Sequence, residues 1–240
     1  MSRAVCVLAV TALLAACGAS AHTNSSLTVF AASSLTDAFP KIDSGATYSF
    51  AGSNTLDAQI RQGAPADVFA SANMKLPSAL HRDGFCSKPV VFTRNALVVI
   101  VPRTNPKKVG TVSDLRRRGV KIVIAAQGVP VGDYTLQVLK RLKLMRVLKN
   151  VVSRETDVRD VLAKVALGEA DAGFVYSTDA RTVPHKVRVI KIPARGQPNV
   201  RYGICVVRGA SNRTAGQAFV RRVLGTAGQR VLRRYGFLPR

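Results

Sequence analysis

Apolar positions along the chain switch repeatedly between two spacings, short continuous runs and a repeat of three to four. The stretch 27–39, LTVFAASSLTDAF, sets the pattern. Leu27, Val29 and Phe30 are strand formers, and Leu35, Phe39 and Ile42 then recur at i, i+4 and i+7, the spacing of one buried helix face. The expected helix opens at Ser33 and Ser34, where unpaired backbone N–H groups and a positive dipole end suit an anion, although serine is equally an ordinary N-cap.

The same unit recurs. Residues 47–51 read as a second strand running into Gly52, Ser53, Asn54 and Thr55, with Leu56 and Ile60 starting another helix, and 66–71 read as a third strand. A continuous apolar strand, 96–101, is bounded by Pro102 and begins a second set of units. There Ser113 and Asp114 cap a short helix, 121–126 is a buried strand, and the loop 127–134 (QGVPVGDY) opens a helix over 135–145. Strands are expected at 151–154, 170–176, 186–192 and 202–207. Thr156 and Asp157 cap an amphipathic helix between the first two of these, and one long helix over 214–235 closes the chain. Strands alternating with helices predict βαβ units and parallel sheets, whose ligands sit at the carboxyl ends of the strands.

Composition narrows the class. The chain has 240 residues, 47% hydrophobic and 20% charged, enough for a full core. A formal charge of +23 raises nucleic acid or an anionic surface as partners. With 6% aromatic residues, no Trp and no nucleic-acid-binding motif, a solvated basic surface is the expectation and nucleic acid is not. His22, His81 and His185 are scattered and no CxxC occurs, so no zinc or redox motif is present.

Residues 1–16 read as a signal peptide, with Arg3 followed by an apolar run too short to span a bilayer. The run ends in Leu14, Ala15, Ala16 and Cys17, which resembles the lipobox of bacterial lipoproteins and implies lipidation of Cys17 and a flexible tether over 17–26. Such a tether reaches roughly 17 Å. Loss of Arg3 leaves 35 basic and 13 acidic residues, or +22. Two cysteines remain, Cys86 and Cys205, and in an exported chain they form either one disulfide or two separate buried thiols.

The motifs FAASSL, FAGSNTL, GAPADVFAS, PVGDY, TDVRDVLAKVALGEADAGFVYSTDA and the closing RYGF, taken in order, resemble the molybdate-binding proteins of bacterial ABC importers, over residues 27–240. The resemblance implies an α/β type II periplasmic-binding-protein fold, two α/β lobes with a cleft between them: lobe I from 27–93 and 203–240, lobe II from 94–202. It implies a monomeric, lipid-anchored receptor on the extracytoplasmic face of the cell membrane, no enzyme, that captures molybdate and tungstate and delivers them to a permease with its ATPase. No cofactor is implied. The oxyanion ligands carried over are Ser34 and Ser53, the backbone N–H groups of Val131 and Val158, and the Tyr176 hydroxyl. Gly52 stands where Ser is common in the family, Val131 where Ala is, and Gly203 where Pro often follows the Tyr. Every carried-over group is a neutral donor, which suits a fully deprotonated tetrahedral dianion, sulfate or thiosulfate included; monoprotonated phosphate would also need an acceptor.

Overall fold

The computed structural model describes residues 26–240; the signal peptide, Cys17 and all of the tether but Ser26 lie outside the described residues. Strands and helices follow in the order β1 (Thr28–Ala32), β2 (Thr47–Ala51), α1 (Ser53–Arg61), β3 (Val68–Ser71), α2 (Lys75–Arg82), β4 (Val90–Asn95), β5 (Leu97–Pro102), β6 (Ile122–Ala125), α3 (Pro130–Arg141), β7 (Val151–Glu155), α4 (Val158–Ala166), β8 (Ala172–Tyr176), α5 (Ser177–Ala180), β9 (Val187–Lys191), β10 (Val200–Val206), α6 (Arg213–Leu224) and α7 (Thr226–Arg234). Among the described residues no helix is long and apolar enough to cross a membrane.

The strands form two five-stranded sheets with matching orders, β2-β1-β3-β10-β4 and β7-β6-β8-β5-β9. The expectation of purely parallel sheets is corrected here. β10 runs antiparallel to β3 and β4, and β5 runs antiparallel to β8 and β9. In each sheet the reversed strand is the one arriving from the other lobe. The chain crosses at Ala96 and again over 192–199, so Arg94, Asn95 and Val200 to Tyr202 belong to the first sheet, a few residues from the boundaries expected at 93/94 and 202/203. β4 pairs with residues 200–204 of β10, which keeps Arg94, Asn95 and the start of β10 in the first sheet. Gln197 ties the two crossings together: its side chain accepts from Leu97 N–H (3.2 Å) and donates to Leu97 C=O (2.7 Å).

Three helix boundaries also differ. The helix expected after β1 is two 3-10 turns, Ser33–Leu35 and Phe39–Lys41. Pro40 has no N–H to return to residue 36, which removes the α-helical bond that would have joined them. The last helix breaks at Gly225, which caps both α6 and α7 in an extended conformation. α3 begins at Pro130 rather than residue 135, since Pro at the first helical position forgoes an N–H that has no intrahelical partner anyway. Gly132 then lets α3 lie close on β6, because a Cβ there would come within 2.2 Å of Ala126 O and 2.6 Å of Ala125 O.

The main core spans both sheets. Phe39, Phe92 and Tyr202 stack edge to face toward Tyr176, the Tyr202 to Tyr176 centroids being 5.6 Å apart, so aromatic packing runs from the first lobe's core to the cleft. A smaller cluster, with Phe30, Leu56, Phe69, Leu80, Cys86 and Cys205, fills the other face of the first sheet.

Candidate functional site

The carboxyl ends of the parallel strands face one another across the cleft. β1 delivers Ser33 and Ser34, β2 delivers Gly52 and Ser53, and β3 delivers Ala72; from the second sheet come Val129 to Val131 after β6, Asp157 and Val158 after β7, and Tyr176 at the end of β8. These residues line a cavity of about 10 Å³. That is far below the usual range for organic ligands, roughly 300 Å³ and upward, and leaves room only for a small species. All five residues predicted from the sequence, Ser34, Ser53, Val131, Val158 and Tyr176, line it.

Each is prepared as a donor. Ser53 opens α1, and its Oγ accepts from Ala72 N–H (3.1 Å), leaving its own proton to turn into the cavity. Ser34 Oγ lies 2.9 Å from the Tyr202 hydroxyl, which accepts from Asn95 Nδ2 (3.3 Å). When the Tyr202 hydroxyl donates to Ser34, the Ser34 proton is free to turn toward the cavity. Burial, followed by the nearby Asp179, pushes the Tyr202 hydroxyl well above its ordinary pKa, so its proton stays in place.

On the other side, α3 begins with a proline, so its first available N–H groups are those of Val131 and Gly132. At α4 the Asp157 carboxylate accepts from Arg159 N–H (2.6 Å) and Asp160 N–H (3.3 Å), which leaves the Val158 N–H unclaimed. Tyr176 is 1% exposed, and its buried hydroxyl has no hydrogen-bond partner among the described residues. Burial, then Tyr202 beside it, raises its pKa well above normal, so it too is a neutral donor. An orphaned buried hydroxyl at a cavity wall is a group waiting for an acceptor. Three helix N-termini, of α1, α3 and α4, bring positive dipole ends to the same point from both lobes. No Lys or Arg lines the cavity, and among the described residues no group of His, Cys, Asp or Glu could hold a metal.

Charge enters just outside. Arg159, next to Val158, bonds Asp37 of the first lobe through Nη2 (2.5 Å) and the fully buried Asp179 of its own lobe through Nε (3.0 Å). Asp179 in turn accepts from Tyr176 N–H (3.2 Å). The lobes approach closely at Gly52, where a Cβ would lie 2.3 Å from Thr156 O. Sequence reasoning missed Asn95, Tyr202, Asp37 and Arg159. Ser34 and Tyr202 are 168 positions apart, and no local spacing marks such a pair.

Of the two alternatives left open for Cys86 and Cys205, this structure holds them as free thiols, both buried.

Two α/β lobes of like topology, closing over a small cavity at their strand ends, define a solute-binding protein. The chain belongs to the bacterial extracellular solute-binding proteins, whose family model matches residues 27–238. Among curated relatives it is 36% identical to the molybdate-binding protein ModA of Mycobacterium tuberculosis, over 93% of this chain and 92% of that one. It is 33% identical to the ModA of Haemophilus influenzae, over 94% of each. Among solved structures the fold is shared with the periplasmic molybdate-binding protein of Azotobacter vinelandii (TM-score 0.78, 24% identity, 89% of this chain and all of that one). The sulfate-binding protein SubI of M. tuberculosis shares it too (TM-score 0.77, 18% identity, 89% and 86%).

Proposed function

We propose that this protein is the molybdate receptor of an ABC importer, that it takes tungstate as well, and that it hands the anion to a membrane permease driven by its ATPase. The observation that carries the reading is the cavity itself: neutral donors from both lobes, the orphaned Tyr176 hydroxyl among them, while the one lining carboxylate, Asp157, is engaged by the Arg159 and Asp160 N–H groups of its own helix. The relatives named for molybdate support the choice of anion. Ser34 and Ser53 donate through hydroxyls, Val131 and Val158 through backbone N–H groups, and Tyr176 through its phenol. Hydrogen bonds to a charged acceptor contribute about 1.5–3 kcal/mol each, so several of them hold a desolvated dianion without a cation. The site contains no nucleophile paired with a base, and no catalysis and no cofactor are proposed.

Cys17 carries the lipid and holds the protein, as a monomer, on the extracytoplasmic face of the cell membrane. The same donors would accept sulfate, which also lacks a proton to donate; discrimination then rests on ion size. Isothermal titration with molybdate, tungstate, sulfate and phosphate is the test. Tight binding of the first two, weak sulfate and no phosphate is the expected order. Sulfate binding as tight as molybdate would replace the reading with a sulfate receptor.

A further inference from the structure

Cys205 lies in β10 opposite Phe69, and Cys86 is bridged to Val207 two residues further along the same strand, so both side chains fall in one small apolar cluster. The backbone around them is tightly registered: Ser87 N–H donates to Val206 O and Arg208 N–H to Phe85 O, both at 2.8 Å. Cys86 is 0% and Cys205 2% exposed. Cys86 Sγ donates to Pro77 O at 3.5 Å. Two thiols brought into one buried cluster from positions 119 apart, in a chain that opens with a signal-peptide pattern, have a redox chemistry that isolated buried cysteines lack.

We propose that the exported protein carries a Cys86–Cys205 disulfide, which ties β10 to the segment between α2 and β4. As the S–S bond forms, each thiol gives up one proton and one electron. These reduce the disulfide of an extracytoplasmic thiol–disulfide oxidoreductase to two thiols. Both sulfurs are shielded once the cluster packs, so the bond forms as β10 docks and is inert afterwards. It is a staple rather than a switch. Val207 lies beyond the amino end of β3, and the anion site at its carboxyl end, so the bond leaves the cleft untouched.

Mapping of the mature protein, secreted with its own leader and denatured directly into excess alkylating agent, tests the bond without reference to any ligand. Trypsin should release peptides 83–94 and 202–208 joined to each other until a reductant is added. Recovery of the two peptides separately, each alkylated, overturns the proposal. Reduction of the intact protein should then lower its melting midpoint by roughly 5–10 °C. Anion affinity should stay within about twofold. An unmoved midpoint would refute the stapling role even if the bond were present.

Discussion

Each donor in the cavity is set by a neighbour that occupies its other hydrogen-bonding capacity. Ser53 is oriented by Ala72 N–H, Ser34 by Tyr202, and Val158 is left free because Asp157 caps the two residues after it. Replacing Ser53 with Ala should therefore weaken anion binding by about 1.5–3 kcal/mol, read by calorimetry, and lower the melting midpoint of the anion-free protein as well, because the buried Ala72 N–H loses its acceptor. Gly52 makes a different prediction. Its φ of −57° suits any residue, so only space forbids a side chain there. Gly52→Ala should hold the lobes apart at Thr156 and lower affinity with the isolated fold intact; small-angle scattering should show less compaction on adding anion than in the wild type. Asp179 adds a pH dependence, because burial, outweighing Arg159, lifts its carboxyl to about 7. A raised carboxylate pKa means the protonated form is the one the fold favours. Its contribution is fully present below the unfolded value near 3.9 and is lost as pH rises through 7. The difference in melting midpoint between wild type and Asp179→Asn should thus change across pH 4–7 and be flat above 8.

At the scale of elements, α4 has three tasks: its first N–H faces the anion, its Asp157 cap frees that N–H, and its Arg159 reaches the first lobe at Asp37. The Arg159–Asp37 pair ties the lobes together across the cleft, so Asp37→Asn should speed anion release more than it slows capture, as stopped-flow displacement would record. Asp37 is half-exposed and the better choice for this test, since removing Arg159 would strand the buried Asp179. The elements that carry the site were largely legible in the sequence, because β1, β2, β6 and β8 are short apolar runs ending in small or polar residues. What was not legible has physical causes. The periodicity 35, 39, 42 is real and those residues are buried or partly buried, yet Pro40 turns the segment into 3-10 turns, and α6 and α7 share one apolar periodicity across a glycine break. α2 and β4 went unread since neither announces itself by a helix-opening loop.

Across the whole molecule, the two sheets repeat one strand order and exchange one strand each, which places the crossings side by side and braces them through Gln197 and Leu97. Contacts over such distances in sequence, Ser34 with Tyr202 or Arg159 with Asp37, leave no trace in local composition, so the lining of the cleft could be named in advance but its support could not. The position of β10 has one more effect. β4 pairs with no other strand of its sheet, and only α6 and α7 follow β10 in the order of synthesis. The second sheet is built wholly from 97–191 and has all its strands well before that. An exported chain that emerges amino end first therefore assembles its inserted half early, while its opening half waits, with β4 unpaired and one edge of β3 bare, for residues 200–206 to arrive. The order of completion is the reverse of the order of synthesis, and the waiting edge is the interval in which the unfinished protein is open to misassembly.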